Sequence, residues 1–163
     1  MNHSLKVGFN FGVTSGIITT LGLMIGLNTA TSSKIAVIGG ILTIAIADAC
    51  SDALGIHISE ESTKKNSTYK KGKKEIWEST LSTLFSKIFF ALTFLIPVLF
   101  LQLSLAVIIS IIWGLTLITF FSYFIAKFNK TRPSSVIIEH VVITIIVVIL
   151  SKILGNLIAK YIA

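Results

Sequence analysis

Between Lys87 and Lys127 the chain reads IFFALTFLIPVLFLQLSLAVIISIIWGLTLITFFSYFIA (residues 88–126), a run without one Asp, Glu, Lys, Arg or His. It is about twice the roughly 20 residues that an α-helix needs to cross the hydrocarbon core of a bilayer. It is therefore read as parts of two crossings, with Pro97, Gln102 and Ser104 marking the fold-back. Span three is placed at residues 80–101 and span four at 104–126. Working outward, the loop 127–135 carries Lys130, Arg132 and Pro133 and leads to span five at 136–160, where Glu139 and His140 alone interrupt the apolar run as far as Ser151. In the other direction lies a polar connection, residues 59–78, holding Lys64, Lys65, Lys70, Lys71, Lys73 and Lys74 among Glu60, Glu61, Glu75 and Glu78. Before it come span two at 35–58 and span one at 7–27. Span one is longer than the 7 to 15 apolar residues of a cleaved signal, so a retained span is expected.

Composition agrees: 53% of the 163 residues are hydrophobic, 13% are charged, and mean hydropathy is +0.90. Soluble domains hold about 25% charged residues, so lipid is the expected solvent, and no length remains for a soluble catalytic head. The expected fold class is an all-α polytopic membrane protein with five transmembrane helices, forming a single transmembrane domain over residues 1–163. Lys6, the six lysines of the polar connection, Lys87, Lys127, Lys130 and Arg132 fall on one side, against Lys34, Lys152 and Lys160 on the other. That asymmetry predicts a cytoplasmic N-terminus. The net charge of +7 comes from lysine in all but one case. Phosphate recognition favours arginine forks, so no nucleic-acid partner is expected. The single cysteine, Cys50, excludes an internal disulfide and a thiolate metal cluster.

An anchoring span can be apolar throughout, so polar and small residues carry the functional reading. In span one, Gly8, Gly12, Ser15, Thr19, Gly22 and Gly26 fall on one helical face suited to close packing, with Asn10 and Thr14 opposite. In span two, Asp48 and Asp52 stand four apart and share a face, beside Ser51, Gly55 and Ser59. An ionised Asp at mid-bilayer costs about 2.5 to 3.5 kcal/mol even on the translocon scale. Two on one face require a cation, protons, a water-filled cavity or a counter-charge. Hard oxygen ligands suit Mn²⁺ and tolerate Fe²⁺. Candidate metal ligands are thus Asp48, Asp52, Asn10, Thr14, Ser51 and Glu139. The structural alternative is Lys87, about one and a half turns into span three, neutralising an Asp. His57 lies about 180° from Asp48 and is placed at the interface, Trp77 reads as an interfacial anchor, and Cys50 as a small apolar residue. His140, Thr144, Ser151 and Gly155 form a weaker stripe in span five.

The first two spans resemble the vacuolar iron transporter family. Asn10-Phe11-Gly12-Val13-Thr14-Ser15 is similar to its Asn-Asp-Gly-Leu-Val-Thr/Ser, and Leu23-Met24-Ile25-Gly26 follows. The run from Ser51 to Ser59 resembles its Ser-Met-Ala-x-Gly-Glu-Tyr-x-Ser at Ser51, Ala53, Gly55 and Ser59, while Leu95-Ile96-Pro97 and Leu154-Gly155 resemble motifs of its spans three and five. The resemblance implies a homodimer that exports Fe²⁺ or Mn²⁺ from the cytosol in exchange for protons, along a path lined by spans one and two. Departures are pointed: the family's first-span Asp falls on Phe11, its second-span Met on Asp52 and its Glu on Ile56. Its Glu-rich cytoplasmic domain has no counterpart in the short, Lys-rich connection.

The expected function is thus divalent-cation transport in the cell membrane of a prokaryote, by a lipid-embedded homodimer formed through spans one and two. No bound cofactor is expected beyond the transported metal. The alternative is a non-transporting structural or accessory membrane protein whose Asp pair is locked by Lys87. An aspartyl-protease reading is set aside, because its two carboxylates must face each other from separate helices.

Overall fold

The computed structural model describes residues 3–66 and 72–162, and among these every regular element is a helix. Lys70, Lys71 and the residues around them in the polar connection lie outside the described residues. Helix α1 spans His3–Thr31, α2 Lys34–Thr43, α3 Ala49–Asn66, α4 Lys73–Thr93, α5 Leu95–Phe100, α6 Leu103–Phe128 and α7 Pro133–Tyr161; a π-helical turn, Ile44–Asp48, joins α2 to α3. Taken as continuous rods these give five membrane-length apolar helices, as the sequence leads one to expect.

Two of the connections have clear causes. Ser33 caps α2 by accepting from the Ala36 amide at 3.3 Å. Lys34 Nζ donates to the carbonyls of Leu99 and Leu101, each at 3.1 Å, satisfying acceptors left over at the end of α5. Pro97 does not mark the fold-back. It sits inside α5, just beyond an interruption at Phe94, and the chain reverses at Leu101 and Gln102, where the backbone is extended. Proline cannot donate to the carbonyl four residues earlier, which places the interruption before it.

Helix α1 is the centre of the bundle, packed on α4 most extensively and then on α7, α6 and α2. Lipid offers no hydrophobic incentive for helices to associate, so close backbone approach and interhelical hydrogen bonds decide the pairing. The small face of α1 serves this within the chain. A Cβ on Gly8 would lie 2.1 Å from the Ser79 carbonyl oxygen, and one on Gly12 would lie 2.1 Å from Ser86 Oγ. Further along, Gly22 meets Val147 and Gly26 meets Ser151, while a Cβ on Gly155 would lie 2.7 Å from the Gly26 carbonyl oxygen. Hydroxyls stitch the same seam: Thr83 donates to Gly8 O at 3.1 Å and Ser82 to Leu5 O at 2.9 Å. The middle of the inward face of α4 is consequently polar, with Ser79, Thr80, Thr83, Ser86 and Lys87 buried between Ile76 and Phe90, whereas its Phe85 and Phe89 point outward.

These contacts fix relative directions. Residue numbers rise together along α1 and α4, and along α1 and α7. Phe9 stacks edge-on against Phe121 and Leu21 abuts Gly114, so α6 runs the other way. The ends of α3, α4, α6 and α7 that flank residues 59–78 and 127–135 therefore lie at the end of the bundle that holds the start of α1. If the lysine asymmetry orients the protein, a cysteine at Ser134, in a Cys50→Ser background, should be labelled from the cytoplasmic side only. Labelling from outside would reverse the topology.

The α1 seam also makes a stability prediction. Gly12→Leu should cost about 3 kcal/mol or more, since its side chain meets α4 backbone that cannot rotate away. Phe11→Leu, at an outward-facing neighbour, should change little. Thermal unfolding in detergent compares the two, and equal tolerance would contradict the packing.

Candidate functional site

The two carboxylates of span two meet a lysine inside the bundle. Lys87 reaches from α4 with no solvent exposure, and its Nζ lies 2.6 Å from Asp48 Oδ2 and in direct contact with Asp52 Oδ2. Ser15, from α1, closes the group: its hydroxyl donates to Asp52 Oδ2 at 2.6 Å and accepts from Lys87 Nζ at 3.0 Å. Three membrane helices thus converge on one ammonium.

Each participant is positioned for a local reason. Lys87 lies along α1 at Gly16, where a Cβ would make tight contacts, 3.3 Å from Lys87 Cγ and 3.2 Å from its carbonyl oxygen. Thr19 donates to the Ser15 carbonyl at 2.8 Å, which ties down the helix beside the hydroxyl. The π-helical turn ends at Asp48 itself. Buried Val37, Ile41, Ala45, Ala49 and Ala53 recur at every fourth residue. A straight α-helix would drift about 40° at each such step, and the wide turn takes part of that drift back. Turns of this kind are frequent at functional sites.

The carboxylates are not equivalent. Asp52 makes the aligned bonds, to Lys87 and Ser15, and its side chain is 21% exposed. Asp48 is 37% exposed as a side chain, and its buried Oδ2 lies 2.6 Å from the ammonium without hydrogen-bond alignment. With formal charges on all three, the triad carries one negative charge in excess, and Asp48 is the more exposed of the two carboxylates.

The other four candidate ligands do not join this group. Ser51 is exposed on the outer side of α3, and Glu139 is exposed on α7. Thr14 donates to the Asn10 carbonyl at 2.8 Å, and Asn10 faces a different cavity, shared with Lys6 and phenylalanines of α6. Among the described residues, no three His, Cys, Asp or Glu side chains are placed to hold a metal ion. Of the six candidates the structure brings together only Asp48 and Asp52, around Lys87 and with a hydroxyl that the sequence assigns to packing, that of Ser15. Its only signal in the sequence is a polar residue at the depth of Lys87 on the small face. Gly16 carries no signal at all.

His57 and the span-five stripe are accounted for by packing. His57 Nδ1 is 3.0 Å from Thr80 Oγ1, and its ring meets Trp77 edge-on at 4.9 Å, well away from the triad. His140 Nδ1 is 2.8 Å from Ser122 Oγ and Thr144 donates to the His140 carbonyl at 2.7 Å, so the span-five stripe joins α7 to α6 and, through Ser151 and Gly155, to α1. No protein-family model matches the chain and no curated protein matches it, so the resemblance to vacuolar iron transporters rests on its short motifs alone.

Proposed function

We propose that the protein is a cation transporter whose exchange site is the Asp48–Lys87–Asp52 triad, a divergent relative of the vacuolar iron transporters. The observation that carries this is the surplus carboxylate. One Asp neutralises one Lys, and a second ionised Asp within the membrane adds about 2.5 to 3.5 kcal/mol with no structural return. Such residues mark ion and proton paths. In this reading Asp48, the more exposed carboxylate, takes a proton or a cation while Asp52 and Ser15 hold Lys87.

The cargo fitting these donors is a hard cation, with Mn²⁺ and Fe²⁺ as the candidates. Two carboxylates and a hydroxyl offer it oxygen ligands only if Lys87 swings aside, which makes the ammonium a tethered competitor for the ion. Protons returning to the carboxylates would then complete an export cycle. A homodimer fits the outward face of span two, where Gly39, Thr43, Ala47, Ser51 and Gly55 are all exposed and a Cβ on either glycine would meet nothing within 4 Å. The small face of span one is already packed on α4 and α7, which favours span two as the site of that interface.

The second reading is a static lock, in which the protein is structural or accessory, and the complete burial of Lys87 favours it. Electron paramagnetic resonance of Mn²⁺ separates the two. Under the exchange reading, the purified protein binds Mn²⁺, Asp48→Asn does not, and Lys87→Gln binds it at least tenfold more tightly. A lock predicts no Mn²⁺ binding by any of the three.

A further inference from the structure

A second feature, independent of the triad, lies between α1 and α6 at the end of the bundle where α1 begins. A cavity of about 240 Å³ is walled by Phe9, Phe121, Phe124 and Phe128, with the Asn10 side chain and Lys6 at its edge. Lys6 Nζ stands 4.8 Å above the Phe128 ring, so the ammonium is held at the mouth. Lys127, Lys130 and Arg132 follow in the same stretch of chain, at the end of α6 and the turn into α7. No carboxylate lines the cavity.

We propose that this cavity binds an anionic phospholipid, with the phosphate on Lys6 and the start of an acyl chain between the phenylalanines. Charge and depth both select that occupant. Basic pockets between transmembrane helices at the membrane surface recruit acidic head groups, and a phenylalanine wall continuous with the lipid-facing side of α6 gives the chain an apolar path. The groove formed by Ile96, Phe100 and Trp113 is apolar and no charged side chain lines it, although Lys34 bonds the Leu101 carbonyl at its edge.

Native mass spectrometry of the full chain, mixed with equal amounts of phosphatidylglycerol and phosphatidylcholine of matched acyl chains, tests the site. Wild type should retain phosphatidylglycerol in at least fivefold preference. Lys6→Gln should reduce that preference about fivefold, as expected for one interfacial lysine, and leave phosphatidylcholine retention unchanged. Phe124→Ala should lower retention of both lipids. Lys152→Gln, on α7 far from the cavity, should alter neither. Equal retention of the two lipids by wild type, or an undiminished preference in Lys6→Gln, would overturn the proposal. Displacement of the lipid by glycerol phosphate alone would also overturn it, because it would reveal a site for a soluble anion.

Discussion

Lys87→Met should destabilise the protein by about 3 to 5 kcal/mol, the effect of removing one partner from a buried ionic group. Lys87 is fully enclosed, and its loss leaves two carboxylates and the Ser15 hydroxyl facing each other inside the membrane. Changing both acids as well, in Lys87→Met with Asp48→Asn and Asp52→Asn, should recover most of the loss, since a neutral set of similar volume carries no uncompensated charge. Thermal unfolding in one detergent compares the three proteins. A Lys87→Met protein as stable as wild type would mean that the ion pairs do not contribute to the fold.

The second large effect separates the two acids. Asp52 holds the aligned bonds to Lys87 and Ser15, so Asp52→Asn should cost about 1.5 to 3 kcal/mol, the range for hydrogen bonds to charged groups. Asp48 lacks that alignment and is the more exposed, so Asp48→Asn should cost less than Asp52→Asn. The better-bonded Asp is thereby the structural anchor, and the looser one is the group that the proposed exchange would use. Unfolding of the two variants side by side checks this. Equal losses would remove the distinction, and a larger loss at Asp48 would reverse the roles.

Much of this arrangement is legible in the amino-acid sequence. Runs such as residues 88–126 leave no alternative to membrane helices, and a four-residue interval puts Asp48 and Asp52 on one face whatever surrounds them. The depth of Lys87 in span three also follows from counting residues. Helical periodicity says which residues share a face but not what that face meets. The small face of α1 suits span two or a second subunit equally well, and it meets α4 and α7 because hydroxyls and bare backbone on those helices complement it. The position of Pro97 misleads for a related reason. A proline interrupts hydrogen bonding without dictating whether the chain turns back there or continues, and here α5 extends past it to Phe100. The π-helical turn before Asp48 leaves no residue-type signal, because Ile44, Ala45, Ile46 and Ala47 suit an ordinary helix equally well.

The triad is the centre of the proposed function, with Ser15 and Gly16 as parts that only the packing exposes. Its most direct test is Mn²⁺ flux into proteoliposomes under an imposed pH gradient, comparing wild type with Asp48→Asn at matched reconstitution and matched thermal stability. Exchange at the triad predicts gradient-dependent flux by wild type and none by a folded Asp48→Asn protein. Flux that survives in Asp48→Asn, or a wild type that moves neither Mn²⁺ nor Fe²⁺ in either direction of the gradient, would contradict it.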